Sequence, residues 1–309
     1  ADPGASGEVT GFAIDNRKVA RGTIFGAFQG GRVNGEDFIA QAVAAGAIAI
    51  VARAQAQVEG ALHIKSDNPR QTFGQLAAKF FGPFPDMNVA VTGTNGKTSC
   101  VELTRQLWRM AGHSAASIGT LGITTSDEQV VTGMTTPDVA TFLSNMAGLE
   151  REGVTHVAFE ASSHGLDQYR TEGVSVRAGA FTNLSRDHLD YHGSMAAYLD
   201  AKLRLFRDVI VDGGTAVVWA DDEYSSAVVG AARDRGLNVM TVGLAGDGLQ
   251  LLSREPSQLG QTLTIEAEGK THKVVLPLIG AYQSANALVS AGLVIATGAD
   301  VAQTIGNLA

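Results

Sequence analysis

The stretch Val89-Ala90-Val91-Thr92-Gly93-Thr94-Asn95-Gly96-Lys97-Thr98-Ser99 decides the fold. An apolar run enters a loop with two glycines, and Lys-Thr then opens a helical pattern over 97–111. Gly93 and Gly96 let the loop fold with its N–H groups pointing inward, and the helix N-terminus adds a positive end. Lys97 would reach the β and γ oxygens of a nucleotide, and Thr98 would ligate magnesium. Val91 stands where the standard phosphate-loop pattern has glycine, so the motif is a shortened G-x-x-G-K-T. The competing reading is a glycine turn with a solvated lysine; the strand before it and the helix after it favour phosphate. Cys100, just inside the helix, reads as a small buried apolar group.

Outward from this loop, strand and helix patterns alternate. Strands are predicted at 88–92, 114–119, 154–160, 176–182, 215–220 and 238–242, and helices at 97–111, 138–152, 195–207, 223–235 and 284–297. This is the signature of an α/β fold, a doubly wound, mostly parallel P-loop sheet. Two alternating runs about Glu268-Gly269-Lys270 predict an antiparallel hairpin at the sheet edge. Upstream, extended runs at 23–28, 47–52 and 62–65 alternate with helical patterns at 36–45 and 69–81, a small N-terminal α/β unit. Pro83 and Pro85 beside Gly82 punctuate the chain, so domains are expected at 1–84 and 85–309.

Composition narrows the partners. Charged residues make up 17% of the 309 and the net charge is −8, so neither nucleic acid nor an anionic membrane surface is an expected partner. The single cysteine forbids an intrachain disulfide framework and fits a reducing, cytoplasmic setting. No apolar run approaches the ~20 residues of a spanning helix. The N-terminus has neither the basic start nor the apolar core of a signal peptide.

Three further segments carry chemistry. In Phe159-Glu160-Ala161-Ser162-Ser163-His164-Gly165 an apolar strand ends in a carboxylate, where ligands of open α/β sheets bind, and Glu160 is a candidate for magnesium. Phe181-Thr182-Asn183-Leu184-Ser185-Arg186-Asp187-His188 follows another strand. His188, beside Asp187 and Asp190, is a ligand candidate, whereas His156 falls inside a strand and reads as a core residue. Lys202 lies on the apolar face of its helix, with Tyr198, Leu199, Leu205 and Phe206 one turn away. Such a lysine ordinarily snorkels to water. The sharper alternative is that desolvation leaves a neutral amine able to take up CO₂ as a carbamate.

Together these motifs resemble the Mur ligases of bacterial cell-wall synthesis. Thr92-Gly93-Thr94-Asn95-Gly96-Lys97-Thr98 is specific to that superfamily, and Glu160-Ala161-Ser162-Ser163-His164-Gly165-Leu166 resembles its MurE branch, which adds a diamino acid to UDP-MurNAc-L-Ala-D-Glu. The resemblance implies that Gly93 to Thr98, Asn183 and Asn286 bind ATP. It also implies two Mg²⁺ ions held by Thr98, Glu160, His188 and a carbamylated Lys202, with Lys97, Lys202 and His188 as catalytic groups. Thr135, Thr136, Ser162, Gln168 and Arg170 would hold the muramoyl dipeptide, and Asn16, Gly31, Arg32 and Val33 the uridine end. Asn286 lies in Gly280-Ala281-Tyr282-Gln283-Ser284-Ala285-Asn286, where Gln283 departs from the family's asparagine. Asp67-Asn68-Pro69-Arg70 spells the tetrapeptide with which the family grips meso-diaminopimelate, but here it reads as a helix start with Pro69 at N1.

The implied reaction is an ADP-forming amide ligation in peptidoglycan synthesis through an acyl phosphate, with meso-diaminopimelate or L-lysine as the added amine and a monomer as the acting species. The family's third domain is expected to be absent from this chain. A UDP-muramoyl- and ATP-binding fragment is therefore one alternative, and a generic P-loop kinase or NTPase is another.

Overall fold

The computed structural model describes residues 7–30, 33–126, 128–130 and 135–309. Contacts divide the chain into two compact units: one runs to Pro83 and takes in Asp138–Ala147 and Gln168–Val174, and the other holds Phe84–Pro137, Gly148–Asp167 and Ser175–Ala309.

In the first unit, β1 (Gly11–Ala13), β2 (Thr23–Gly26), β3 (Ala49–Ala52) and β4 (Leu62–Lys65) form a parallel sheet in sequence order. The two central strands are buried at every position, which is why they read as unbroken apolar runs. Helix α1 (Ile39–Ala44) follows a 3₁₀ turn at Gly35–Phe38, and α2 (Pro69–Phe81) packs Phe73 and Ala77 inward. Asn68 caps α2 by accepting from Gln71 N at 3.2 Å, with Pro69 in the first turn, as the helix-start reading of Asp67-Asn68-Pro69-Arg70 requires. Phe73 meets Phe12 and Phe28 edge-on at 5.3 and 5.4 Å. Residues 138–147 and 168–174 join this unit, whereas the boundary expected from the prolines places them in 85–309. At Gly74 of α2 the missing side chain lets Glu172 and Val139 approach, and Gln71 and Gln75 both donate to Glu172 Oε1.

The second unit is built on an eleven-stranded sheet among the described residues. Its strands are β5 (Met87–Thr92), β6 (Ala115–Gly119), β7 (Gly122–Thr124), β8 (Gln129–Val130), β9 (His156–Glu160), β10 (Val176–Phe181), β11 (Ile210–Trp219), β12 (Asn238–Gly243), β13 (Leu249–Pro256), β14 (Gln261–Ala267) and β15 (Lys270–Leu276). Their order is β15-β14-β13-β12-β11-β10-β5-β9-β6-β7-β8. The strands from β12 to β6 run parallel, and antiparallel pairs close both edges. The hairpin about Glu268-Gly269 is there, preceded by β13, which pairs parallel with β12 and turns at 257–260. The short β7 and β8 lack an alternating signal long enough to read.

Helices α3 (Lys97–Met110), α4 (Val139–Arg151), α5 (Ser163–Asp167), α6 (Leu189–His192), α7 (Met195–Arg204), α8 (Ser225–Asp234), α9 (Ala281–Ala296) and α10 (Val301–Gly306) complete the chain. Apolar on nearly every face, α9 buries ten residues, and its Ser290 hydroxyl donates to the carbonyls of Asn286 and Cys100. Burial pushes the Cys100 thiol up to about 12, so it packs as an inert small group. After Arg204 the helical pattern continues as a single π turn, Leu205–Val209, before β11.

His156 begins β9 with its ring stacked on His113 at 4.1 Å and edge-on to Trp108. Burial, then the neighbouring His113, lowers its pKa from 6.5 to about 4. The folded state therefore resists protonating it: the stability is complete above about pH 6.5 and is lost as pH falls toward 4. Discounted for half exposure, the loss is roughly 1 kcal/mol. Urea unfolding at pH 7 and pH 4.5 should show His156→Asn losing that much less than the unmodified protein; equal losses would reject the assignment.

Candidate phosphate and metal site

Three motif-bearing strands lie side by side. Register pairs Phe181 with Thr92 and Glu160 with Val91, so β10, β5 and β9 end together and present 182–188, 93–98 and 160–163 at one carboxyl edge. Val91 is a buried strand residue, which confines the loop to Gly93–Gly96.

Two glycines shape that loop. Gly93 has φ +151° and Gly96 φ +87°, and a β-carbon would strike Thr182 Oγ1 at the first and Asn286 Oδ1 at the second. Gly96 caps α3 without any side-chain bond, leaving the first-turn N–H groups available to an anion. Asn183 braces the loop: its carbonyl accepts from Thr94 N, its Oδ1 from Asn95 N, and its Nδ2 donates to Asn95 O. Thr182 Oγ1 donates to Asn95 O at 2.6 Å. Asn286, at the start of α9, is held by Gln283 Oε1 at 3.2 Å, the position at which the family pattern has asparagine.

Lys97 Nζ donates to the carbonyls of Gly93 and Thr94 at 3.0 and 2.8 Å. Burial lowers its pKa, opposed by the charges of Glu160 and Asp187. Glu160 is 2% exposed. Its Oε1 accepts from Thr98 Oγ1 and from Thr120 N, both at 2.8 Å, and its Oε2 from Thr120 Oγ1 at 3.3 Å. Thr135 Oγ1 touches Thr120 Oγ1 at 3.0 Å, while Thr136 Oγ1 donates to Glu160 O and meets Ser162 Oγ. Thr98, Glu160, Thr135, Thr136 and Ser162 thus form one connected set.

Lys202 is buried, 1% exposed. Its Nζ donates to Gly93 O at 2.7 Å and stands 4.5 Å above the Tyr198 ring. Burial first, and Lys97 second, hold its pKa well below the ordinary lysine value. The snorkelling alternative therefore fails, because the helix turns this lysine toward the loop. His188 stands apart from the Glu160 set. It is half-exposed, in left-handed backbone at φ +50°, with its ring edge-on to His164 at 4.9 Å and Tyr198 at 6.0 Å.

No cluster of three His, Cys, Asp or Glu side chains forms among the described residues. A divalent cation would find one carboxylate and hydroxyls, the oxygen donors that magnesium prefers. The Glu160–Thr98 pair at the phosphate loop fits such an ion.

In the first unit, Asn16 and Val33 line a cleft of about 990 Å³ with Asp15, Arg17, Gln41 and Asn145. Asn16 Nδ2 donates to Gln41 Oε1 at 2.8 Å. Gln168 and Arg170 pair with each other. Gly31 and Arg32 lie outside the described residues.

Sequence reasoning missed Thr120 and Gly119, and marks Tyr198 only as an apolar neighbour of Lys202 on its helix. No motif marks them; only the pairing of β6 beside β9 brings Thr120 to Glu160. At Gly119 a β-carbon would collide with the Glu160 carboxylate. Gly119→Ala is expected to cost about 1–3 kcal/mol in urea unfolding, because the displaced carboxylate gives up its Thr98 and Thr120 bonds. Unchanged stability would mean that the carboxylate relaxes freely.

The Mur ligase middle domain family matches residues 91–294, and a second family, described as Mur ligase family, catalytic domain, matches residues 8–80. The chain belongs to the Mur ligase family. It is 56% identical over 300 residues to the UDP-N-acetylmuramoyl-L-alanyl-D-glutamate--2,6-diaminopimelate ligase of Zymomonas mobilis, covering 97% of this chain and 62% of that protein. The Bradyrhizobium diazoefficiens protein of the same name is 50% identical over 305 residues, with 97% and 63% covered. A solved structure titled as that ligase superposes with a TM-score of 0.85 at 28% identity, over 96% of this chain and 61% of the other. This Mur ligase chain therefore spans a little over three-fifths of the length of these relatives. No helix among the described residues is long and apolar enough to cross a membrane.

Proposed function

We propose that this chain is the nucleotide- and muramoyl-binding part of an ADP-forming ligase that joins meso-diaminopimelate to UDP-MurNAc-L-Ala-D-Glu in peptidoglycan synthesis. The observation that carries the reaction class is Glu160, a buried carboxylate at the end of β9 bonded to Thr98 of the glycine loop. The names of the relatives at 56% and 50% identity support the substrates.

ATP is the phosphoryl donor and the D-glutamate carboxylate the acceptor. Its oxygen attacks the γ-phosphorus, ADP leaves, and the resulting acyl phosphate is attacked by an amine of the diamino acid. The amide forms, phosphate leaves and the nitrogen gives up a proton. Both first reactants are anions, so the chain must neutralise repulsion while aligning the transfer. The N–H groups at Gly96–Thr98 cradle the phosphates, and Lys97, already beside the loop, supplies the positive charge. Asn183 and Thr182 fix the loop's shape, and Asn286 borders it where the adenine would lie. Thr135, Thr136 and Ser162, bonded into the Glu160 network, present hydroxyls to the muramoyl dipeptide, with Gln168 and Arg170 as its further contacts. Asn16 and Val33, which line the cleft of the first unit, bind the uridine end, and Gly31 and Arg32 are its other contacts by the resemblance alone.

Magnesium would be held by Thr98, Glu160, His188 and the carbamylated Lys202, and would supply charge neutralisation there. Lys202 reaches donor form as a carbamate: its neutral Nζ bonds to the carbon of CO₂ and releases one proton. A cytoplasmic setting follows from the substrates.

The test is incubation of the full-length protein with UDP-MurNAc-L-Ala-D-Glu, ATP and Mg²⁺, with meso-diaminopimelate or lysine supplied separately and products read by mass spectrometry. The expected result is ADP and UDP-tripeptide with diaminopimelate. ATP turnover indifferent to the muramoyl compound would overturn the reading in favour of a generic NTPase.

A further inference from the structure

His188 lies on a segment that the hydrophobic core does not hold. Helix α6, which it opens, has four residues and buries none of them. His188 itself is a non-glycine residue at φ +50°, a conformation that persists only where surroundings impose it. Something other than apolar packing must fix this segment.

Two side-chain bonds do so, and both run to α5. Tyr191 Oη donates to Asp167 Oδ2 at 2.6 Å, and His192 Nε2 shares a hydrogen bond with Ser163 Oγ at 2.9 Å. The ring of His164, between Ser163 and Asp167 in sequence, packs against Tyr191 at 4.1 Å and edge-on to His188 at 4.9 Å. Ser163 follows Glu160 by three residues, and its neighbour Ser162 is tied to Thr136, which in turn bonds the Glu160 carbonyl. The two bonds thus connect the segment carrying His188 to the segment carrying Glu160.

We propose that Ser163–His192 and Asp167–Tyr191 form a two-point clasp that sets where the His188 imidazole stands relative to Glu160, making Ser163, Asp167, Tyr191 and His192 positioning residues for a divalent cation. The inference rests on the reading of Glu160 and His188 as cation donors. A single bond would leave α6 free to pivot; two, near opposite ends of α5, remove the rotation. Outer partners of this kind orient ligands without touching the ion, and their removal typically costs about 10–100-fold in metal affinity.

The experiment measures Mn²⁺ affinity by electron paramagnetic resonance in the full-length protein with ADP present, alongside thermal unfolding. The double variant Ser163→Ala/Tyr191→Phe loses one hydroxyl from each bond and is expected to bind Mn²⁺ about 10–100-fold more weakly. Its unfolding midpoint should stay near that of the unmodified protein, because α6 has no buried residues to lose. His192→Gln, which keeps a side-chain donor near the position of Nε2, is expected to retain more affinity than His192→Ala. Equal Mn²⁺ affinity in the double variant and the unmodified protein would overturn the clasp alone. An unmodified protein that binds no Mn²⁺ beside ADP would overturn the donor reading, and the clasp with it.

Discussion

Replacing Lys202 with alanine is expected to slow phosphoryl transfer to the muramoyl carboxylate by about 10²–10³-fold, the loss typical of removing one preorganised charge-stabilising group. The side chain is buried, with Nζ 2.7 Å from the carbonyl of Gly93 in the loop itself. No carboxylate among the described residues forms a salt bridge with it, and burial together with the nearby Lys97 disfavours the ammonium. A neutral amine in that position is the chemical requirement for carbamate formation, and alanine abolishes it. Added bicarbonate should not restore the rate, because no nitrogen remains to react. ADP release by the full-length variant checks this, and near-normal turnover would remove Lys202 from the mechanism.

Lys97→Ala should reduce ADP formation by a similar or larger factor, about 10³-fold, while leaving the fold as stable as before or more stable. The sign of the second effect follows from burial. Desolvation lowers the Lys97 pKa in the folded chain, so carrying the charge there costs folding free energy at neutral pH that alanine does not incur. Thermal unfolding and ADP release on the same preparation separate the two effects. A variant that loses activity and stability together would indicate that the lysine holds the loop through its bonds to the Gly93 and Thr94 carbonyls, rather than serving the nucleotide.

The sheet was legible because a fully buried parallel strand is an apolar run and its helices are periodic; β5, α3, β9 and β10 are all visible in that way. The motifs at 93–98, 160–163 and 182–188 were legible because each follows such a run. Their adjacency was not, since nothing local states that β9 and β10 flank β5. The same blindness hid Thr120, which reaches Glu160 from a different strand end. The helical spacing around Lys202 identified its apolar face but not its direction along the helix, and only the structure turns it onto Gly93. Residues 138–147 and 168–174 escaped assignment to the first unit because the spatial approach at Gly74 has no signature in linear order. His188 was legible only as a ligand candidate beside Asp187 and Asp190, whereas the bonds that hold its short helix pair residues over 20 apart in sequence.

A crystal of the full-length protein grown with a non-hydrolysable ATP analogue, Mg²⁺ and UDP-MurNAc-L-Ala-D-Glu tests the central claim most directly. The phosphates are expected against the N–H groups of residues 96–98, with an ion touching Thr98 and Glu160 and three extra trigonal atoms at the tip of Lys202. Nucleotide bound away from that loop, with Glu160 touching neither ion nor substrate, would contradict it.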